Sequence, residues 1–204
     1  MTKLVLHDFL LSGNCYKIRL FCAMNGLSLE LNEVKVLDGA TRNDEFARLN
    51  PFRQIPVLCD GDHVVQDSQA ILLYLAMKYA PQWVDKTPQG LGKIMEWLSY
   101  AAKECSNGPQ MSRLHFLDPH ENIDLARAQT LGRKVLQLLD SELASRDWLC
   151  LDRPTIADIA VFPYVALARE GKLPLDEHPA VLAWIDRIRG LPGYHPMPGL
   201  QEAL

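Results

Sequence analysis

The sequence lacks an uninterrupted apolar run of membrane-spanning length, and it lacks an N-terminal segment in which basic residues precede an apolar stretch. A transmembrane helix needs about 20 consecutive, mostly apolar residues, and a secretory signal needs that N-terminal pattern. Internal repeats and low-complexity tracts are also missing. We therefore expect a soluble, unsecreted protein that resides in the cytoplasm and has no membrane partner.

Cysteine is sparse and shows no pairing pattern. The five cysteines are odd in number and scattered, and no two of them form a C-x-x-C motif. Such usage is typical of a reducing cytoplasm and gives no disulfide framework. His115 and His120, with Asp118 between them, do not have the helical spacing of a metal site. We predict that the protein binds no metal.

Runs of basic residues are absent as well. The formal net charge is −4, and lysine and arginine are spread along the chain. A nucleic-acid-binding surface needs a basic patch, so we expect no nucleic-acid partner. Hydrophobic residues make up 48% of the 204 residues. That share is ample for a buried core in one large domain or two small ones.

What is present divides the chain into two unlike halves. In residues 1–80, apolar periodicity and turn residues predict the order β-α-β-α-β-β-α. A strand is expected to begin at a proline-rich segment near residue 56, and a hairpin turn follows it at Asp60 and Gly61. The other strands are predicted over residues 3–7, 29–36 and 63–65, and the helices over residues 15–25, 44–49 and 68–79. We expect residues 1–80 to form an α/β domain.

Residues 88–204 carry helical patterns alone. Thr87 and Pro88 form a good helix start, with threonine as the N-cap and proline in the first turn. The S-N-G-P stretch of residues 106–109 should break or kink this helix, which resumes at Met111. We predict an all-helical second domain over residues 88–204.

Three further helix signals follow in the second half. Apolar residues at helical spacing trace a long amphipathic helix over residues 123–143. Thr155 and Asp158 form a capping-box start, and Pro163 should kink the helix that they open. A last helix is predicted over residues 179–189.

The segment from Asn50 to Leu58 has the sequence N-P-F-R-Q-I-P-V-L, and Pro56 stands at the start of a predicted strand. Proline is tolerated in a sheet only at an edge, at the first strand residue or in a special turn. An X-Pro bond has little trans preference, so the Ile55–Pro56 bond can be cis. The residue before proline is extended, so Ile55 can offer its N–H and C=O to a peptide laid along the edge.

Asp67 and Ser68 form a strong helix start before the apolar run of residues 70–73. A helix N-terminus carries free N–H groups and a partial positive charge, which suit a carboxylate. If the Asp67 carboxylate meets an ammonium, the pair recognises a zwitterionic end such as a γ-glutamyl group. Each motif also has an interpretation without a ligand. Asp67 and Ser68 could be an ordinary helix N-cap, and residues 51–58 could be a loop that merely contains prolines.

Taken together, the motifs N-P-x-x-x-I-P-V-L and D-S-x-A-I resemble those of the cytosolic glutathione S-transferases, in which E-S-x-A-I is commoner. The resemblance spans nearly the whole chain and implies a thioredoxin-like first domain, an all-helical second domain, glutathione as co-substrate and a homodimer. It also implies that Ile55 pairs with the cysteinyl backbone of glutathione. Asp67 and Ser68 would bind the γ-glutamyl end, with Gln54 assisting from the loop.

In that family, the residue that holds the glutathione thiolate lies in the loop after the first strand. Here the loop offers Ser12, Asn14 and Cys15, which we rank in that order. A subset of bacterial members has a similar S/T-x-N-x-x-K loop in which both polar positions serve the sulfur. Ser12 aligns with the catalytic serine of serine-type members, whereas Cys15 lies beyond the usual cysteine position. Serine and asparagine are also common N-caps, and Cys15 could be a small core residue.

In a transferase-like packing, Phe9 and Leu11 of this loop would face Met111 and His115 across the domain cleft and form a pocket for a small hydrophobic electrophile. The activity would be conjugation of glutathione, or reduction of peroxides or disulfides. A maleylacetoacetate-type isomerase is a variant, but its loop would contain S-S-C where this chain has residues 12–14 as S-G-N. A catalytically idle binding module of the same fold is the alternative from a different class.

Overall fold

The computed structural model describes residues 3–200, so the outermost residues of the two predicted domains, 1–2 and 201–204, lie outside it. The first half follows the predicted order of strands and helices. Its elements are β1 (Leu4–Asp8), α1 (Gly13–Met24), β2 (Leu29–Glu33), α2 (Asp44–Leu49), β3 (Val57–Asp60), β4 (His63–Gln66) and α3 (Ser68–Tyr79). The sheet order is β2-β1-β3-β4, with β1 parallel to β2 and the other pairs antiparallel. The predicted thioredoxin-like arrangement is therefore confirmed.

Both faces of this sheet are covered, as β3 makes clear. Neighbouring residues of a strand point to opposite faces, and yet Val57 and Leu58 are both fully buried. Leu58 belongs to the large core with residues of α1 and α3, whereas Val57 packs with Phe46 of α2. The sheet therefore lies between α1 and α3 on one face and α2 on the other.

β2 ends earlier than predicted, at Glu33 instead of residue 36. Two single 3₁₀ turns, Val36–Asp38 and Ala40–Arg42, lead from there to α2. Gly39 between them has a φ of 78°, a left-handed conformation that glycine adopts at no steric cost. The chain thus turns away from the sheet at Gly39. The alternating pattern of residues 29–36 predicted a longer strand and gave no sign of these turns.

The second half is helical, as predicted. Its helices are α4 (Pro88–Tyr100), α5 (Met111–Leu117), α6 (Leu125–Leu143), α7 (Ile156–Ala166) and α8 (Pro179–Arg189). Thr87 caps α4 by accepting the N–H of Gly90 at 3.1 Å. None of the helices within residues 3–200 combines the length and the apolar character needed to cross a bilayer.

The helix does not break at residues 106–109, because α4 continues through a π-helical segment, Ala101–Gln110, directly into α5. The wider π turn, with its i→i+5 hydrogen bonds, accommodates Pro109 within the helix. Gly108 is needed because α6 crosses at this point: a Cβ on Gly108 would lie 2.8 Å from the backbone nitrogen of Gly132. The S-N-G-P signal therefore marks a close helix crossing and not a helix end.

α7 is the central helix, and all of its residues are buried. Its capping box forms as predicted, with the Thr155 N–H donating to the Asp158 carboxylate at 2.9 Å. The helix continues through Pro163, so the proline does not end it. α7 packs against α1 of the first domain and α4 of the second. Tyr164, on this helix, is thereby placed beside the loop that precedes α1.

Candidate active site

A cleft of about 480 Å³ lies where the two halves of the chain meet. Its walls come from the loop between β1 and α1, the proline segment, the start of α3, the π-helical segment with α5, and α7. The predicted site residues that line it are Phe9, Leu11, Ser12, Asn14, Gln54, Ile55 and Asp67. Ser68, Met111 and His115 are not among its lining residues.

The proline segment is held rigidly beside this cleft. Asn50 is buried, donates through Nδ2 to the Gln54 carbonyl at 2.7 Å and accepts the Phe52 N–H at 3.0 Å. The Ile55–Pro56 bond is cis. Within residues 3–200, the main-chain N–H and C=O of Ile55 make no main-chain hydrogen bond. An edge that could pair with an extended peptide therefore faces the cleft.

Asp67 caps α3 and is strained in doing so. Its Oδ1 accepts the N–H groups of Gln69 and Ala70, at 2.9 and 3.1 Å. Its φ of 70° is uncommon for a residue other than glycine and costs conformational energy. Among the described residues, Oδ2 has no hydrogen-bond partner. One carboxylate oxygen therefore fixes the helix start while the other remains available in the cleft.

Ser68 is buried, and its hydroxyl is hydrogen-bonded within the protein. The hydroxyl donates to Oε1 of Gln69 and lies 3.3 Å from Oδ1 of Asn14. Its backbone N–H is in the first turn of α3, where no intrahelical acceptor is available. If Ser68 binds a ligand, as predicted, it does so through this N–H and not through its hydroxyl in the present rotamer.

Ser12 is the N-cap of α1 and lines the cleft. Its Oγ accepts the Cys15 N–H at 3.2 Å, and its own N–H donates to the Phe9 carbonyl at 2.9 Å. The loop is anchored from the second domain by buried Arg113, which donates to the Leu11 carbonyl at 2.7 Å. Sequence reasoning missed Arg113, because its partner lies 102 positions away in the chain.

Tyr164 closes the site from α7 and was also missed. Its hydroxyl accepts the Asn14 N–H at 3.2 Å, and the ring lies against Gly13, where a Cβ would come within 2.8 Å of it. Burial raises the pKa of Tyr164 strongly, while the Arg113 charge and, less strongly, the Asn14 N–H and the Ser12 hydroxyl oppose the shift, so the phenol is neutral. The signal available in the sequence was a polar aromatic residue in the otherwise apolar stretch of residues 159–166.

Lys17 is the third residue that sequence reasoning left without a role. It is 1% exposed, and its Nζ lies 2.8 Å from Oδ1 of Asn14, 3.4 Å from the Ser68 hydroxyl and 3.3 Å from Oε1 of Gln69. Burial lowers the pKa of Lys17 to about 8. A lysine on a helix face that is otherwise apolar was the signal available in the sequence.

Cys15 is fully buried and does not line the cleft. Burial raises the pKa of its thiol to about 12. A thiol of this kind stays protonated at neutral pH and has no access to a ligand. This supports ranking Cys15 after Ser12 and Asn14 as a candidate for holding the glutathione thiolate.

Met111 and His115 lie outside the cleft because the helix does not break before them. The cleft wall is formed instead by Ala102, Ser106, Gln110 and Leu114 at a spacing of four. The wide π turns keep this spacing on one face of the helix. Met111 and His115 each follow a wall residue and are rotated by about 100° from it. The second domain therefore presents different residues to the cleft from the ones expected.

Metal-binding side chains are not clustered in the described part of the chain. Within residues 3–200, no group of three or more His, Cys, Asp or Glu side chains is arranged to hold a metal ion.

Comparison with known proteins matches both halves of the chain. Residues 6–83 match the family profile described as "Glutathione S-transferase, N-terminal domain", and residues 93–192 match "Glutathione S-transferase, C-terminal domain". Glutathione S-transferase 3 of Zea mays is 31% identical over 95% of this chain and 92% of its own length.

Solved structures agree with this match. A glutathione S-transferase from Xanthobacter autotrophicus is 31% identical, with a TM-score of 0.88 over 99% of this chain and all of its own. One from Pseudomonas fluorescens is 28% identical, with a TM-score of 0.89 over 96% of this chain and 98% of its own. The chain therefore belongs to the glutathione S-transferase family.

Proposed function

We propose that the protein is a glutathione transferase in which Ser12 and Asn14 hold the glutathione thiolate for attack on a small hydrophobic electrophile. One observation carries the proposal. The open main-chain edge of Ile55, the free carboxylate oxygen of Asp67, and the polar side chains of Ser12 and Asn14 line one cleft. Each feature matches a different part of glutathione.

The tripeptide is bound along the edge of the first domain. The cysteinyl backbone pairs with the N–H and C=O of Ile55, in the manner of strand addition. Oδ2 of Asp67 accepts from the γ-glutamyl ammonium, and the N–H of Ser68 at the start of α3 donates to the γ-glutamyl carboxylate. Gln54 assists from the proline segment.

The chemistry needs only a stabilised thiolate beside an electrophile. Ser12 Oγ accepts from the Cys15 N–H, and its single O–H, which now lies beside the Tyr164 hydroxyl, turns to donate to the sulfur when glutathione binds. Lowering a thiol pKa of about 8.5 by about two units takes roughly 2.7 kcal/mol, which a charge-assisted donor and a helix N-terminus can supply. The thiol proton leaves to solvent, sulfur forms a bond to the electrophilic carbon, and the leaving group departs with its bonding electron pair.

The electrophile is bound beside the sulfur by an apolar wall. Phe9 and Leu11 supply it from the loop, and Ala102, Leu114 and Leu117 supply it from the second domain. The buried state of Cys15 favours conjugation over mixed-disulfide chemistry, and peroxide reduction by the glutathione thiolate uses the same site. An isomerase of the maleylacetoacetate type remains a weaker alternative, because the loop contains S-G-N and not S-S-C.

The protein acts as a homodimer in the cytoplasm, where the five free cysteines fit the reducing conditions. The dimer follows from the family resemblance, and five of the exposed apolar side chains on the first domain and on α4 are candidates for its interface. They are Phe52, Val64, Met77, Leu91 and Met95.

Calorimetry and activity profiling test the proposal together. The unmodified protein should bind glutathione and conjugate it to aryl halides or related electrophiles. Asp67→Ala should weaken glutathione binding by about 1.5–3 kcal/mol, because one charge-assisted hydrogen bond is lost. Cys15→Ala serves as the matched loop control and should leave conjugation largely intact. Binding without turnover of any electrophile, peroxide or disulfide would support the idle binding module instead.

If Cys15→Ala abolished activity, and a glutathione mixed disulfide were trapped on Cys15 of the unmodified protein, the enzyme would be a cysteine-type reductase. No binding of glutathione by the unmodified protein would end the proposal entirely.

A further inference from the structure

A buried cation that forms no ion pair lies directly beneath the loop that carries Ser12 and Asn14, and the Asp67 charge acts on it only from beyond ion-pair distance. The ammonium of Lys17 has three acceptors, and all of them are neutral: the Asn14 and Gln69 amides and the Ser68 hydroxyl. Within residues 3–200, no carboxylate comes within ion-pair distance of it. An isolated buried charge is costly, and natural proteins retain one mainly where it serves the site.

The lysine determines which end of the Asn14 amide faces the cleft. An ammonium carries donors only, so the Asn14 atom at 2.8 Å from it must be the oxygen. The Ser68 hydroxyl lies 3.3 Å from the same oxygen. The opposite end of the amide, the Nδ2 group with its two N–H donors, is therefore turned away from the buried cluster. Since Asn14 lines the cleft, these donors are presented there.

We propose that Lys17 is a positioning residue that locks the Asn14 amide with its N–H group toward the glutathione sulfur and strengthens that group as a donor. The second effect follows from polarisation: a cation on the amide oxygen withdraws electron density from the amide, and chained hydrogen bonds reinforce one another in a site of low dielectric constant. This inference rests on the proposed function, because it requires a glutathione thiolate beside Ser12 and Asn14.

Lys17→Met tests the proposal, since methionine retains the length of the side chain and removes the charge and the donors. The readouts are the pKa of the enzyme-bound glutathione thiol, followed by thiolate absorbance, and the pH profile of kcat/KM. We expect the thiol pKa to rise by about one unit, and kcat/KM at pH 6.5 to fall about fivefold. The affinity for glutathione should change much less, because the contacts of Ile55 and Asp67 are intact.

A double-mutant cycle separates positioning from a purely structural effect. In an Asn14→Ala background, Lys17→Met should cause less than about a twofold further loss of kcat/KM, because the lysine acts through the missing amide. Lys134→Met, at an exposed position of α6, is the matched control and should change neither readout. A full fivefold loss of kcat/KM in the Asn14→Ala background, or an unchanged thiol pKa in Lys17→Met, would overturn the inference.

A measurement on the unmodified protein covers the case in which Lys17→Met does not fold. The side-chain N–H₂ signals of Asn14, assigned by their loss in Asn14→Ala, should shift with pH around the Lys17 titration near 8. Signals that do not move between pH 6.5 and about 9.5 would contradict the proposal. If the unmodified protein neither binds glutathione nor shows a thiolate, the proposed function itself has failed, and the N–H₂ titration still reports whether Lys17 holds Asn14.

Discussion

The buried ammonium of Lys17 should give the folding free energy a distinctive dependence on pH. Its pKa falls from 10.5 to about 8 in the folded protein because burial disfavours the charged form. Between these values the unfolded chain binds more protons than the folded one, so the free energy of unfolding rises with pH across this window. Below pH 8 both states are protonated, and the full cost of burying the charge is present.

The magnitude follows from the same two pKa values. The shift of 10.5 − 8, or about 2.5 units, corresponds to about 3.4 kcal/mol over the whole window. From pH 6 to pH 9 the expected gain is about 1.4 kcal/mol. The difference to measure is the free energy of unfolding of the unmodified protein minus that of Lys17→Met. This difference should be about 1.4 kcal/mol more positive at pH 9 than at pH 6.

The comparison with the variant is essential, because other buried groups titrate in the opposite sense. Burial raises the thiol pKa values of Cys15, Cys22 and Cys105 from 9.0 to about 12, so alkaline pH favours the unfolded state through them. Loss of the Lys17 charge would raise the Cys105 thiol pKa further. At pH 9 and below, all three thiols remain protonated in the folded state of both proteins, so their contributions cancel in the difference.

The measurement is urea unfolding followed by tryptophan fluorescence, at one protein concentration and under reducing conditions. It gives the free energy of unfolding of the unmodified protein and of Lys17→Met, each at pH 6 and at pH 9. The difference in free energy of unfolding between the unmodified protein and Lys134→Met, at an exposed site, should be the same at the two pH values, because both proteins keep Lys17. If the difference between the unmodified protein and Lys17→Met were the same at pH 6 and pH 9, Lys17 would not be a buried cation with a lowered pKa, and the reasoning would be refuted.

Three further outcomes are expected. Ser12→Ala should raise the thiol pKa of bound glutathione and reduce turnover about a hundredfold, and adding Asn14→Ala should reduce turnover further. If the double variant turned over as fast as the unmodified protein at pH 6.5, neither side chain would be a donor to the sulfur. Gly13→Ala should destabilise the fold by about 1–3 kcal/mol in urea unfolding, because its Cβ would lie 2.8 Å from the Tyr164 ring, and an unchanged midpoint would exclude that contact. Met95→Glu should convert a dimer to a monomer of 23.0 kDa in light scattering, since it places a charge on an exposed apolar position of α4; a mass unchanged at the dimer value would remove α4 from the interface, and a monomeric unmodified protein would refute the dimer.

Local patterns were sufficient to predict most of the fold. The bounds of α2 and α3, the capping box of α7 and the start of α8 depend on residues within four positions of one another, and all of them were predicted correctly. The error at residues 106–109 has a different origin. Gly108 and Pro109 disfavour a helix locally, but the crossing of α6 stabilises a π-helical path that no local rule anticipates.

The candidate site divides in the same way. Ser12, Asn14, Ile55 and Asp67 stand in short motifs, and the structure brings all four to one cleft. By contrast, the contact between Asn14 and Tyr164 spans 150 positions. A pairing of that kind depends on how the second domain docks, and sequence periodicity contains no information about docking. Met111 and His115 do not line the cleft because the helix before them continues through the π-helical segment.

The long-range contacts give the second domain a part in the sulfur site and not only in the electrophile wall. Arg113 holds the Leu11 carbonyl, and Tyr164 holds the Asn14 N–H, so both residues fix the loop whose donors face the thiolate. Substituting either residue should therefore alter the glutathione thiol pKa as well as electrophile selectivity. Leu114 and Leu117 line the cleft without a hydrogen bond to that loop, so substitutions there should alter selectivity alone. Comparing the thiol pKa across the two sets of variants would show whether loop positioning and electrophile recognition are separable in this protein.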